Sequence, residues 1–452
     1  MKILIAGDGK VGQTLAAELS EEGYELTIID TDSRVLNESV ERFDVMALEG
    51  NCASMETLRR ASVESADLLI AATGSDETNL LACMTAHALN PHLHTIARIR
   101  NPEYRDQAYL MGGAFGLSLV FNPEKQAAEE VEHLLKFPGF LKRETFAKGR
   151  VEIVELRIEK DSPLKNIPLS ALNSTVKCKV LVCTVLRNGT AVTPDGNFVL
   201  REGDRIFVTA PQDTLALLLK NLGIVTHKVK SVLLAGGGMV SYYLADLLLK
   251  SRIEVKIIEE DAARCEKLSA LLPHAVIING DAGAQSLLES EGIDATDALV
   301  SLTGLDELNI ILSLFGKSRG VPQIITKLGR MDDTRIIDNL PVGSLVCPRK
   351  LCCNTILRYV RAMRNQAGAA VTIHAIADGQ SEALEFVVDE TAFHRDEPLK
   401  NIRFCKNILL VGISRGEETL IPDGDSSFTL GDSVVIVATN DTTVLQFNDI
   451  FA

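Results

Sequence analysis

The chain has no long apolar run. Its longest aliphatic stretches, such as Val434 to Ala438, have the length of a strand, far short of the roughly 20 residues that a membrane-spanning helix requires. Direct insertion into a bilayer is therefore not expected. Positive charge is in deficit as well. With 46 Lys and Arg against 61 Asp and Glu, the formal net charge is −15, and such a chain repels both nucleic acid and an anionic lipid surface. Neither is expected as a direct partner. The nine cysteines follow no repeating pair spacing, which suits reduced thiols in a cytoplasmic protein better than a disulfide framework. Cys347, Cys352 and Cys353 lack paired C-x-x-C spacing, and the eight histidines form no cluster, so no metal site is expected. A strand pattern already begins at residue 2, and no secretory leader is expected.

What is present is a chain of 452 residues, 46% apolar and 24% charged, the balance of a folded protein of several domains. Lys2-Ile3-Leu4-Ile5-Ala6 reads as a buried parallel strand. It enters Gly7-Asp8-Gly9-Lys10-Val11-Gly12 and then a helical pattern carried by Leu15, Ala16 and Leu19. This is G-x-G-x-x-G between a strand and a helix. The first glycine permits the turn, the second lets the backbone approach a pyrophosphate, and the third lets helix and strand pack closely. Amides at the start of the helix face the phosphates, whose charge the helix dipole favours. A second strand, Leu26 to Ile29, ends in Asp30, about twenty residues on, where a carboxylate accepts hydrogen bonds from a ribose. Arg34 follows and would meet a 2′-phosphate, but Asp30 repels that group. NAD(H) is expected over NADP(H), with Arg34 as a solvated helix-start residue.

Strands and helices then alternate. Strands are expected at 45–48, 67–71, 94–99 and 117–121, and helices over 76–87 and 127–137, the second closed by Pro138-Gly139. Six strands with interleaved helices make a doubly wound α/β domain of Rossmann-like type. From residue 151 the period changes to two. Residues 151–156 alternate, a hairpin-like turn is expected at Pro194-Asp195-Gly196, and 205–209 forms a further strand. This reads as a small α+β domain with a half-exposed sheet.

The plan then recurs. Gly236-Gly237-Gly238-Met239-Val240-Ser241 repeats the glycine loop, and the strand Val255 to Ile258 ends in Glu259. Thr73-Gly74-Ser75-Asp76-Glu77-Thr78-Asn79 returns as Thr303-Gly304-Leu305-Asp306-Glu307-Leu308-Asn309. Pro163-Leu164-Lys165-Asn166-Ile167 returns at Pro398, Pro194-Asp195-Gly196 at Pro422, and Gly203-Asp204 at Gly431, all at an offset near 230 residues. The chain is a tandem duplication of a two-domain unit. The expected division is 1–140 and 226–365 for the Rossmann-like domains and 141–225 and 366–452 for the small ones, with the joint at 223–230.

On these residues the chain resembles the RCK/KTN ligand-gating modules of potassium channels and transporters. They pair a dinucleotide domain carrying T-x-x-D-E-x-N with a small domain carrying P-L-x-x-x and P-x-G…G-D. Two modules in one chain with no membrane segment resemble the peripheral subunits of bacterial Trk potassium uptake systems. The resemblance implies nucleotide sensing, with NAD(H) and/or ATP or ADP as ligands. It implies a TrkH/TrkG-type potassium-conducting membrane protein as partner, a homotetrameric ring of modules, and a place on the cytoplasmic face of the membrane held through that partner.

The implied site residues of the first half are Gly7, Asp8, Gly9, Lys10, Val11, Gly12, Asp30, Thr31, Asn51, Cys52, Thr73 and Arg98. Those of the second are Gly236, Gly238, Met239, Val240, Glu259, Asp281, Thr303 and Lys327, with Lys327 in the place of Arg98. Gly280-Asp281 keeps the family's Gly-Asp after the third strand, whereas Gly50-Asn51 departs from it, and Ser241 replaces the third glycine. Thr73 to Asn79 reads equally as a helix cap through Ser75 or Asp76. Arg98 reads either as the partner of a nearby acid or as a phosphate-binding cation. In the family, the helix over 127–137 crosses to a neighbouring module.

A dehydrogenase using the same cofactor is the alternative. It would need a general acid or base brought to the nicotinamide, and the small domains offer none that is evident. The sequence is read as a regulator and not as an enzyme.

Overall fold

Four sheets, two parallel and two antiparallel, organise the described residues. The computed structural model describes residues 1–104, 107, 116–136, 141, 143–222, 229–329, 340–364, 370–439, 442, 444 and 446–452. Most of the expected joint at 223–230 and the exit at 137–140 lie outside the described residues.

Strands β1 (Lys2–Ala6), β2 (Glu25–Asp30), β3 (Met46–Glu49), β4 (Leu68–Ala71), β5 (His94–Arg98) and β6 (Leu119–Phe121) form one sheet in the order β3-β2-β1-β4-β5-β6. All neighbours are parallel. The strand order reverses between β1 and β4, and the glycine loop leaves β1 at that crevice. β1 and β4 are aliphatic at nearly every position because helices cover both faces of a parallel sheet. The next five strands are antiparallel: β7 (Arg143–Phe146), β8 (Val151–Arg157), β9 (Leu181–Arg187), β10 (Thr190–Val192) and β11 (Arg205–Thr209), in the order β10-β9-β11-β8-β7.

The second half repeats both sheets. β12 (Ser231–Ala235), β13 (Glu254–Glu259), β14 (Val276–Asn279), β15 (Ala298–Ser301), β16 (Gln323–Lys327) and β17 (Ser344–Val346) follow the order β14-β13-β12-β15-β16-β17. β18 (Thr372–Ile376), β19 (Ser381–Val387), β20 (Ile408–Arg415), β21 (Glu418–Leu420) and β22 (Ser433–Thr439) follow β18-β19-β22-β20-β21, the first small sheet's order strand for strand. The duplication seen in the sequence is a duplication of topology.

Two expectations for the small domain are corrected. The hairpin between β9 and β10 turns at Asn188-Gly189, both left-handed with φ of 52° and 77°, the geometry of a two-residue turn that matches strand twist. Pro194-Asp195-Gly196 falls in the loop after β10, where the Ser170 amide donates to the Gly196 carbonyl. The sheet is not half-exposed either. Positions 151–156 of β8 are all buried. Val154 and Leu156 pack in the domain's own core with Leu215 and Leu218 of the helix Gln212–Asn221. Val151 and Ile153 meet Val411, Val435 and Val437 of the second small sheet. The face expected to meet water is covered by the other copy of the domain.

The helices that leave the parallel sheets are exchanged. Pro123–Lys136 carries an apolar stripe of Ala127, Ala128, Val131, Leu134 and Leu135, the spacing of one helix face. That stripe lies in the core of the second parallel sheet, with Val232, Leu234 and Ile257. Pro348–Arg364 returns the exchange: Cys352, Cys353, Ile356, Leu357 and Val360 are buried with Ile3, Ile5 and Leu15 of the first sheet. Burying one such aliphatic side chain contributes about 1.5–3 kcal/mol, so each half carries part of the other's core.

Candidate functional site

The three glycines of the first loop do three separate jobs. Gly7 has φ of +102°, and a Cβ there would stand 2.9 Å from the Thr73 backbone, so the turn and the approach of β4 both require glycine. A Cβ on Gly12 would come within 1.9 Å of the Gly7 carbonyl oxygen, which is how closely helix Lys10–Glu21 seats on the turn. A Cβ on Gly9 would meet nothing within 4 Å; the loop faces open space there. In the second loop Gly236 repeats the left-handed turn at φ of +104°. Ser241 takes the third position and donates its hydroxyl to the Gly236 carbonyl.

The acid at the end of β2 braces the loop. Asp30 Oδ2 accepts from the Asp8 amide at 2.7 Å and Oδ1 from the Asp32 amide at 3.0 Å. Glu259 repeats this on the Gly237 and Asp261 amides, at 2.7 and 3.0 Å. Arg34 is largely exposed and pairs with Asp32 at 2.8 Å, Asp32 being the cap of helix Ser33–Arg42.

The T-x-x-D-E-x-N segment is a clamp. Ser75 caps the helix Asp76–Leu89 by accepting from the Thr78 amide. Asn79, fully buried, accepts from the Thr73 amide and hydroxyl at 2.9 and 2.7 Å and donates to the Arg98 carbonyl at 2.9 Å. Asp76 Oδ2 accepts the Arg100 and Asn101 amides. The motif ties the ends of β4 and β5 together around the loop. In the second half, Asn309 binds Thr303 and the Lys327 carbonyl in the same way, so Lys327 is the structural counterpart of Arg98.

These elements line a half-open cleft of about 780 Å³. On the first half's side it is lined by Gly7, Gly9, Lys10 and Val11 of the loop, by Asp30 and Thr31 after β2, and by Asn51, Cys52, Thr73 and Arg98 among others. Gly12 and Asp8 are not among its lining residues. Gly12 is packed on the turn, and Asp8 turns its side chain to Ser39, whose hydroxyl donates to Oδ1 at 3.0 Å. The opposite wall belongs to the second half: Val240, Lys327, Gly329, Pro348 and Arg349. Val240 and Lys327, expected around the second loop, thus stand against the first. Gly236, Gly238, Met239, Glu259, Asp281 and Thr303 do not line this cavity. Asp281 accepts from the Gly283 amide at 2.7 Å in its own loop.

Glu124 and Arg349 were not singled out in the sequence. Each follows the proline that opens an exit helix, and that equivalence was the available signal. Glu124 pairs with Arg98 at 2.7 Å, both largely buried. Lys327 donates to the Leu302 carbonyl at 3.1 Å. Burial, with Lys10 nearby, holds its ammonium below the usual lysine range, against the pull of Asp306 and Glu124. The Cys52 thiol is pushed up to about 11 by burial, which removes it as a nucleophile. Lys10, Arg98, Lys327 and Arg349 set four cations against Asp30 and Glu124 in one crevice, a balance that suits a ligand bearing several phosphates.

Comparison with known proteins agrees with this geometry. Residues 3–123 and 232–348 each match the TrkA-N domain, and residues 153–223 match the TrkA-C domain. The Trk system potassium uptake protein TrkA homolog 1 of Methanosarcina mazei is 33% identical over 444 residues, 96% of this chain and 97% of that protein. The crystal structure of the GsuK RCK domain shares the fold with a TM-score of 0.63 at 17% identity, covering 97% of this chain and 92% of that one. The GsuK channel bound to NAD follows at 0.62 and 17%, covering 97% and 76%. With both halves matched and relatives aligned along the full length, the chain belongs to the TrkA family of Trk-system potassium uptake proteins.

Proposed function

We propose that the chain is a cytoplasmic regulatory subunit that binds NAD(H), and ATP or ADP, and gates potassium flux through a TrkH/TrkG-type membrane protein. The observation that carries this reading is the shared cavity. Its loop and ribose acid come from one half, and Lys327 and Arg349 come from the other. A nucleotide held there touches both halves, so its occupancy favours one arrangement of the two over another, which is what a ligand must do to shift a conformational equilibrium. The full-length relative is named for potassium uptake, and the GsuK channel was solved with NAD. No helix among the described residues is long and apolar enough to cross a membrane; the proposed attachment is through the membrane partner. The proposed domain division is 1–140, 141–225, 226–365 and 366–452.

A homotetrameric ring is the proposed assembly. Leu81 and Ile311 occupy the same place on equivalent helices and are 46% and 61% exposed, apolar surface of the kind that contact between copies would cover. Gating and not hydride transfer is the proposed role, in keeping with relatives named for potassium uptake.

The test is potassium flux in proteoliposomes holding the membrane partner, with and without nucleotide. Gly9→Ala puts a methyl group where the cavity is open and the fold has room. It should assemble normally and lose the response to NADH and ATP; a variant that assembles and responds fully would remove the first loop as the sensor. Asp30→Ala should weaken NADH binding about tenfold to a hundredfold, the loss of charge-assisted hydrogen bonds worth about 1.5–3 kcal/mol. Equal or tighter binding by calorimetry would contradict Asp30 as the ribose acid.

A further inference from the structure

Asp8 is the first variable residue of the first glycine loop, and its side chain is fully buried. One carboxyl oxygen accepts from the Ser39 hydroxyl at 3.0 Å; the other, Oδ2, has no partner among the described residues. The charged groups that act on it are acids: Asp30 from β2 and Glu38 from the helix Ser33–Arg42. The cations nearest along the chain are turned elsewhere. Arg34, on that same helix, pairs with Asp32, and Lys10 starts its helix on the exposed side. A carboxylate buried with one hydroxyl donor and no cation is costly, and the group lowers that cost by holding its proton. Burial first, then Asp30 and Glu38, raise Asp8 to about 6, against the opposing pull of the Ser39 hydrogen bond. The second loop has no such group. Gly237 stands at the matching position, and Arg264 donates to its carbonyl at 2.7 Å.

We propose that binding of a pyrophosphate-bearing nucleotide at the first loop is coupled to protonation of Asp8. This rests on the reading of that loop as a nucleotide site. The phosphates would sit at the start of helix Lys10–Glu21, beside a loop that already holds Asp30 and Asp8. Added negative charge favours the neutral acid. Binding then takes up a proton wherever free Asp8 is ionised, and affinity falls as pH rises through that range. Below it, Asp8 is neutral in both states and the dependence vanishes. The second loop has glycine at this position, so a nucleotide bound there would bind without the proton. The two halves of the duplicated chain therefore differ in a property that their shared motif hides.

The experiment is calorimetry of the full chain with NAD, whose diester phosphates stay ionised throughout, from pH 5.5 to 7.5 in buffers of different ionisation enthalpy. In the limit where only neutral Asp8 admits the ligand, affinity drops about twentyfold over that interval, with close to one proton taken up at the upper end. Asp8→Asn should bind with affinity independent of pH and heat independent of buffer. Ser39→Ala removes the hydrogen bond that favours the carboxylate, and should move the fall to higher pH. A wild-type protein with pH-independent affinity, an Asp8→Asn variant that keeps the wild-type profile, or a Ser39→Ala profile that stays in place would each overturn the coupling. Failure of NAD to bind at any pH would overturn the nucleotide reading itself and the coupling with it.

Discussion

Ile356→Asp, a change in the second half of the chain, is expected to unfold the parallel sheet of the first half. Ile356 is 0% exposed and packed with Ile3, Ile5 and Leu15. The substitution removes a large aliphatic group from that core and leaves an unpaired carboxylate in its place. Together these cost about 5 kcal/mol or more, a large part of the stability of an ordinary domain. Val131→Asp in the first exit helix should do the reverse, because Val131 lies against Val232, Leu234 and Leu244 of the second sheet. Limited proteolysis in moderate urea, with fragments identified by mass, reads the difference. New cleavage should fall within residues 1–100 for Ile356→Asp and within 231–327 for Val131→Asp. Cleavage confined to the half that carries the substitution would mean that the exchanged helices contribute little to the cores they cover.

Arg143→Ala should be the next most damaging change, and its effect should depend on pH. Arg143 lies between two acids, 2.9 Å from Glu152 and 3.5 Å from Glu130. Glu152 is 1% exposed. Nearby, Glu144 pairs with His374 of β18 at 2.8 Å, so the cluster joins the first exit helix to both small sheets. Removing one partner of a buried ionic group costs about 3–5 kcal/mol.

Glu130 is raised to about 7, first by burial, with Arg143 opposing. The native state therefore holds a proton that the unfolded chain releases. Glu130 costs stability as pH rises from the ordinary carboxyl range to about 7, and no more above it. His133 is lowered to about 4, by burial and then by Arg143. The unfolded chain takes that proton first, so His133 costs stability as pH falls through the ordinary histidine range. In the wild type the two oppose each other.

Arg143 lowers both groups, so its removal raises both. Glu130 then keeps its proton to higher pH, and His133, 3.9 Å from Glu152, takes its proton at a higher pH than in the wild type. The deficit of Arg143→Ala in urea unfolding should be about 3–5 kcal/mol at pH 8 and clearly smaller at pH 6. A deficit that is the same at both, or below about 1 kcal/mol at pH 8, would show that Arg143 does not hold these acids together.

What was legible in the sequence is what short-range chemistry writes there. A left-handed turn followed by a tightly seated helix admits little but glycine, so Gly7 and Gly12 mark the loop. A strand that ends in an acid marks Asp30. A parallel strand covered on both faces is an aliphatic run, which made the six strands and their doubly wound class readable, and a fixed offset exposed the duplication. The small sheet misled because its alternation was read as core against water. Its second face lies against another apolar sheet, and the alternation there separates two cores. An amphipathic stripe such as Ala127 to Leu135 states that a face is buried but carries no information about which surface buries it. That pairing joins residues about a hundred positions apart and is settled by the fit of whole surfaces. The same fit, not any motif, brings Lys327 and Arg349 to the first loop and closes the cavity from the far half. It also leaves Asp8 inside the loop with no cation among the described residues to answer it. The sequence determined two nucleotide folds in tandem; only their packing made the crevice of one the business of both.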